Sequence, residues 1–520
     1  MSAPVPGRWA QACTRKSIDV AVADVDRAGL QRRLGMGSLL VLGVANILGA
    51  GVYVMTGAAA AEFAGPGVML SFVIAALSCA FTGLCYAELA STIPVPGSAY
   101  SYCYVTFGEG AAWALAWLVM LEYTLAAAAV SVGFSGYLVS LLGNLGVQVP
   151  AAFATPLVQA VQQGGHTDLK FGGGFNAVAA LAAIAAALTM IFGVSRSAAA
   201  NALLVAVKVA VLVAFVAVGA WFVDPGNWRP FIPANEGGFA YGWPGVLRGA
   251  AMLFFAYLGF ETVSTASAEA RNPRRDVPVG ILGALAACTV LYIAAGAVLT
   301  GLVPYRQLGV PDPIALAVDR IGWPGFAVLI KLGALTGLGS VLLANAYGHS
   351  RMTLAMARDG LLPPLFTRVH PRWRTPWLGN LVLGGIAALS AALLPIGVLG
   401  DLACLGIASA FLVVCVSVIW LRSTRPELRG GFRVPLGGIR VGRWWLGVVP
   451  VLGIVLCLAM MAPVLTDMAI QVRRGDLLPA AILLGYCLAG AAIYLGYGLR
   501  RARRAAQATD LSHASDGPTS

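Results

Sequence analysis

Glu122 and Lys208 each stand inside a long apolar run, and Gly49 and Gly51 sit one residue apart in another, Ile47-Leu48-Gly49-Ala50-Gly51-Val52-Tyr53. A charge at membrane depth costs roughly 3 kcal/mol on insertion scales, so it marks function by default. Glycine costs a helix interior about 1 kcal/mol against alanine, so this pair marks an interruption. Five spans later the run Phe254-Phe255-Ala256-Tyr257-Leu258-Gly259-Phe260 repeats the irregularity. Paired interrupted helices at corresponding places in two halves point to the midplane site of a secondary transporter. An opened helix frees N–H groups where its second half starts, and these hold an anion with help from the helix dipole. Gly49, Ala50 and Gly51 are the N–H candidates, because little side-chain bulk blocks approach to their backbone. The carbonyls of Ile47, Phe255, Ala256 and Leu258 lie at the same two interruptions.

The elements that position these groups follow from composition. The chain has 520 residues, 59% hydrophobic and 11% charged, with mean hydropathy +0.82. A soluble domain carries about 25% charged residues, so that class is excluded. About twelve runs reach the ~20 residues of a membrane helix: 38–60, 66–90, 111–142, 175–194, 200–223, 243–268, 279–303, 325–348, 377–397, 399–421, 446–468 and 478–500. None alternates like a barrel strand, so the spans are helical and the fold class is an all-α polytopic membrane protein. The net charge of +12 reports topology, not nucleic acid. Arginines crowd the segments before the first span, after spans six, eight and ten, and after the last, whereas the alternate loops hold few. This positive-inside bias places both termini in the cytoplasm. Residues 1–37 then form a cytoplasmic segment without a cleavable signal, 38–421 a transport core, 446–500 two further helices and 501–520 a cytoplasmic tail.

The nine cysteines and four histidines show no metal-type spacing, and most cysteines lie inside the spans. No nucleophile–base spacing appears either. The expectation is therefore no catalytic residue, no metal and no cofactor, with the lipid bilayer as the one certain partner.

Spans one to five and six to ten compare as two halves, about 38–223 and 243–421, each opening on a glycine-interrupted helix. The segment Gly43-Val44-Ala45-Asn46-Ile47-Leu48-Gly49-Ala50-Gly51-Val52-Tyr53-Val54-Met55-Thr56-Gly57 resembles the first helix of the amino acid–polyamine–organocation family. Pro96-Gly97-Ser98-Ala99-Tyr100-Ser101-Tyr102 is similar to that family's re-entrant loop after helix 2, and Arg351 through Pro363 to its segment after helix 8. Pro230 to Phe239, and Phe254 through Glu261 to Pro273, resemble its cationic amino acid transporter branch. The resemblance covers residues 30–500. It implies a leucine-transporter-type fold, two inverted five-helix repeats with helices 1 and 6 unwound at the bilayer centre. It also implies uptake of L-amino acids across the cytoplasmic membrane, commonly coupled to protons.

On that resemblance the α-carboxylate takes the N–H groups of Gly49, Ala50 and Gly51, and the α-ammonium takes the carbonyls of the two breaks. Ala50 departs from the threonine of many relatives, and Asn46 is polar where relatives are often small and apolar. Glu122, roughly 16 Å into the third span at about 1.5 Å per residue, becomes a side-chain pocket residue or, in the bland reading, a packing residue. Lys208, about 14 Å into the fifth span by the same rise, matches the lysine that the branch places where sodium-coupled members hold a cation. It is the coupling residue, or a fixed tie to helix 1 carbonyls. Arg248 and Lys331 are read as snorkelling near span ends, Glu261 as a packing or gating residue, and Glu88 and Glu109 as gate partners. Tyr53, Phe255 and Tyr257 line the pocket or pack the bundle. The function expected is proton-coupled, sodium-independent import. Exchange, cationic amino acid uptake and, remotely, amino acid sensing stand as alternatives. The identity of the substrate and the oligomeric state are left open.

Overall fold

The computed structural model describes residue 15 and residues 34–93, 98–163, 166–192, 198–373, 375–428 and 431–498. Within them the chain is a helical bundle: α1 (Met36–Ile47), α2 (Thr56–Ala59), α3 (Val68–Thr92), α4 (Ser98–Phe107), α5 (Glu109–Asn144), α6 (Ala177–Phe192), α7 (Ala198–Gly219), α8 (Gly242–Leu253), α9 (Thr262–Thr265), α10 (Pro273–Leu302), α11 (Pro313–Ile321), α12 (Pro324–Arg358), α13 (Trp377–Leu393), α14 (Ile396–Thr424), α15 (Val448–Arg474) and α16 (Leu478–Ile493). Among the described residues nine helical stretches are long and apolar enough to cross a membrane, and the first, Met36–Thr92, is long enough for two crossings. The shorter apolar helices α6 and α13 complete the set. The all-α polytopic class expected from hydropathy is the fold observed. Most of the amino-terminal segment, the tail, and residues 94–97 of the loop after the second span lie outside the described residues.

The interior is built around α5, which packs on α12 and α14, while α10 packs on α1 and α3. The first span is interrupted where glycine predicts it. After α1 the backbone turns extended at Leu48, with ψ 101°. It then rewinds as two wide turns, Gly51–Met55 and Ala60–Ala64, on either side of α2. The sixth span tightens from α8 into a 3-10 turn over Phe254–Tyr257, extends at Leu258 with ψ 134°, and reverses at Gly259 with φ +115°. Only glycine adopts that φ at little cost. A Cβ there would also lie 2.7 Å from the backbone C and O of Asn46. The two interruptions therefore touch.

Two short antiparallel hairpins, which periodicity does not foretell, lie between spans. Strands β1 (Val158–Gln163) and β2 (His166–Phe171) pair Val158 with Phe171 through Gln163 with His166. Strands β3 (Gly438–Val441) and β4 (Trp444–Gly447) pair Gly438 with Gly447 through Val441 with Trp444.

Candidate functional site

The junction of the two interrupted spans gathers most of the residues singled out by sequence. A Cβ on Gly51 would lie 2.3 Å from both Cα and Cβ of Ala256, and one on Gly49 would meet the Val341 side chain of α12 at 2.7 Å. Gly51 is thus a point of close approach between the spans. The second half of the first span opens its ladder with Tyr53 N–H on the Gly49 carbonyl at 3.4 Å. A helix start leaves its leading N–H groups without partners inside that segment, which here are those around Ala50 and Gly51. Ile47, Ala50, Phe255 and Ala256 are all buried.

One residue that sequence reading passed over joins both breaks. The Tyr292 hydroxyl of α10 lies 2.7 Å from the Ile47 carbonyl and 3.1 Å from the Ala256 carbonyl. Two of the four carbonyls expected to receive a cation therefore converge on a single O–H donor. The third, Phe255, accepts the Leu258 N–H at 3.1 Å within its own turn. Leu258 is half-buried in the extended stretch that follows. Tyr257 turns away from the first span, donating its hydroxyl to the Phe72 carbonyl at 3.1 Å. Tyr53 donates to the Lys208 carbonyl at 3.4 Å, and its own carbonyl accepts from Tyr137 at 2.7 Å. Both tyrosines are thus engaged in tying helices together.

Lys208 reaches the end of α1. Its Nζ donates to the carbonyls of Ala45 at 3.1 Å and Leu48 at 3.3 Å, and the residue is 3% exposed. Carbonyls in a last turn form the negative end of the helix dipole, so an ammonium is held there by geometry and field together. Glu122 of α5 is buried, facing α14 so closely that a Cβ on Gly406 would meet its Cβ at 2.8 Å. Glu261 caps the second break, its carboxylate accepting the Gly259 N–H at 2.9 Å.

Arg248 and Lys331 do not snorkel. Arg248 is 1% exposed and forks onto Asp401 of α14 at 2.9 and 2.5 Å, with Asp467 of α15 at 3.2 Å. Its guanidinium also lies over the Phe63 ring. Lys331 is fully buried between Asp319 at 2.7 Å and Asn144. Carboxylates on neighbouring elements pair with both cations, while Arg248 Nε is buried with no hydrogen-bond partner among the described residues. The lone acids Asp401 and Asp467 in apolar spans were the signal.

At the face where α1 begins, Glu88 accepts two bonds from Arg422 at 2.6 and 2.7 Å and one from the Val434 N–H at 2.7 Å. Glu109 receives the hydroxyls of Tyr494 and Tyr104 at 3.3 and 3.5 Å. Tyr100 donates to Asp359 at 2.7 Å, joining α4 to the end of α12. Burial and that neighbouring carboxylate hold the Tyr100 phenol above its ordinary range. Among the described residues no three His, Cys, Asp or Glu side chains gather as a metal site.

A family described as amino acid permease matches residues 34–486. The chain is 40% identical over 444 residues to the methylthioribose transporter of Bacillus subtilis (strain 168), covering 85% of this chain and 91% of that one. It is also 40% identical over 446 residues to the branched-chain amino acid permease BcaP of the same organism, covering 85% and 90%. It is 35% identical over 398 residues to the vacuolar cationic amino acid transporter 4 of Arabidopsis thaliana, covering 76% of this chain and 64% of that one.

Proposed function

The chain belongs to the amino acid permease family, and from that premise we propose that it imports L-amino acids by proton coupling, without sodium. The membrane is the cytoplasmic one, with the face carrying the start of α1 turned inward, as the arginine distribution of the loops supports. The observation that carries the reading is the junction at Gly51 and Ala256, where helix-start N–H groups and break carbonyls lie together.

In this scheme the substrate carboxylate takes the N–H groups of Gly49, Ala50 and Gly51. The ammonium takes the Ile47 and Ala256 carbonyls in place of the Tyr292 hydroxyl, with Phe255 and Leu258 supplying the remaining acceptors. Glu122 sets side-chain preference, weakly favouring small neutral or broad substrates. Lys208 excludes sodium: at ~4 Å and an effective dielectric near 20, two like charges cost about 4 kcal/mol. Protonated, Lys208 ties α7 to the end of α1. Deprotonated, it releases that tie and biases the bundle toward the inward-open arrangement.

Uptake by the purified protein in liposomes tests this, using a panel of labelled amino acids and methylthioribose, with and without a pH gradient and sodium. Neutral L-amino acid uptake driven by the pH gradient and indifferent to sodium is the expected result. Uptake only into liposomes preloaded with amino acid would make the protein an exchanger. Uptake of methylthioribose alone, the solute named for one relative, would overturn the substrate class.

A further inference from the structure

The β3–β4 hairpin is the apolar surface that the transport reading leaves unused. Residues directly opposite in an antiparallel pair share a face, as do residues two apart in one strand. The pairs Ile439–Leu446 and Val441–Trp444 therefore lie on one side, and Arg440 and Trp445 on the other. The second side seats the hairpin on the bundle: the Arg422 guanidinium lies 4.1 Å from the Trp445 ring centroid, and the Trp445 N–H donates to Ser423 Oγ at 2.8 Å. The first side points outward. Ile439 is 68% exposed, Val441 54% and Trp444 40%, with Leu436 at 67% just before them.

What covers this face follows from its position and charge. Strand β4 ends at Gly447 and the membrane helix α15 starts at Val448, so the hairpin stands at the edge of the bilayer. On α15 itself Val448, Leu452 and Val455 are exposed at helical spacing. From Leu428 to Gly447 the sequence has arginines and no acidic residue. Arg433, Arg440 and Arg443 are exposed, Arg443 lying beside the Trp444 ring. Apolar side chains beside an indole and arginines suit the headgroup boundary of a leaflet, where tryptophan concentrates and anionic lipid attracts basic residues.

We propose that the β3–β4 hairpin is a lipid-binding foot, its Ile439, Val441 and Trp444 face set into the leaflet beside α15, with Arg433 and Arg443 holding anionic phospholipid headgroups. A Val441→Cys variant in a Cys13→Ser, Cys487→Ser background, labelled with an environment-sensitive fluorophore and reconstituted as the full chain, tests it. Vesicles of phosphatidylcholine with and without phosphatidylglycerol are compared, each with brominated lipid or aqueous iodide as quencher. Quenching by shallow-brominated lipid and protection from iodide are expected. The phosphatidylglycerol needed for half-maximal quenching should rise roughly fivefold for each of Arg433 and Arg443 changed to Gln. Iodide quenching equal to that of the same label on a Gln148→Cys control, in an exposed loop, would overturn the proposal. So would protection from both quenchers, which would mean that protein, such as residues 1–33 of this chain or a second copy, covers the face. Lipid quenching indifferent to phosphatidylglycerol would overturn the arginine assignment.

Discussion

Gly51→Ala is the sharpest probe of the junction, because it adds one methyl group where two backbones meet. The new Cβ would lie 2.3 Å from Cα and Cβ of Ala256, against the 3.4 Å at which ordinary contact begins. The spans must therefore part by about 1 Å, and a backbone atom offers no rotamer by which to yield. Overpacking of this kind costs typically about 1–3 kcal/mol, which is roughly 5- to 150-fold in the population of the closed junction. Separation also draws the Ala256 carbonyl from the Tyr292 hydroxyl. Initial uptake rate, normalised to inserted protein, should fall by at least the lower of these factors, with a lower melting temperature in detergent. Gly49→Ala should lose less, since the atom it meets is a Val341 methyl. Gly485→Ala, with nothing within 4 Å, should change neither reading. A Gly51→Ala protein with unchanged uptake and melting would refute the reasoning, because the contact would then have no hold on transport.

Tyr292→Phe strips the shared donor from two buried carbonyls, a loss of about 1–3 kcal/mol. Its melting temperature should fall while substrate KM stays level or drops; a tenfold rise in KM with unchanged melting would show that the hydroxyl binds substrate. Lys208→Ala should lose concentrative, pH-driven uptake yet keep substrate counterflow, and added sodium should restore uptake by refilling the place. A proton requirement unchanged in that variant contradicts the coupling role. Asp401→Ala removes the two-oxygen partner of buried Arg248 and leaves Asp467 at 3.2 Å, with Glu62 in the same cluster. Breaking a buried pair from one side costs about 3–5 kcal/mol, so melting should drop well below that of Asp401→Asn.

How far sequence reached the site depended on whether a signal was carried by one residue or by a pair. A glycine in the middle of an apolar run announces itself, because its cost is local and must be offset by a break or a close approach. Gly51 and Gly259 prove to be both, and the structure adds only which neighbour approaches. A lysine among valines is equally loud, and the carbonyl partners of Lys208 lie on the first interrupted span. Tyr292 is silent by the same measure. Tyrosine in a span is compatible with simple packing, and its Ile47 partner lies 245 positions away.

Arg248 shows the converse failure, in which a loud residue is assigned the wrong partner. Judged within one span, a charge near a helix end has water as its nearest relief. Its actual relief comes from Asp401 and Asp467, 153 and 219 positions away. Each of those acids is itself too expensive to stand alone in an apolar span. Three such charges on three helices pair with one another, and their ion pairs tie α8 to α14 and α15. Membrane sequences thus disclose where polar groups must be satisfied more readily than by whom. The β3–β4 hairpin lies beyond even that rule, since four-residue strands have too few alternations to rise above a loop. Its apolar face becomes visible only once pairing register puts Ile439, Val441 and Trp444 on the side that the bundle leaves uncovered.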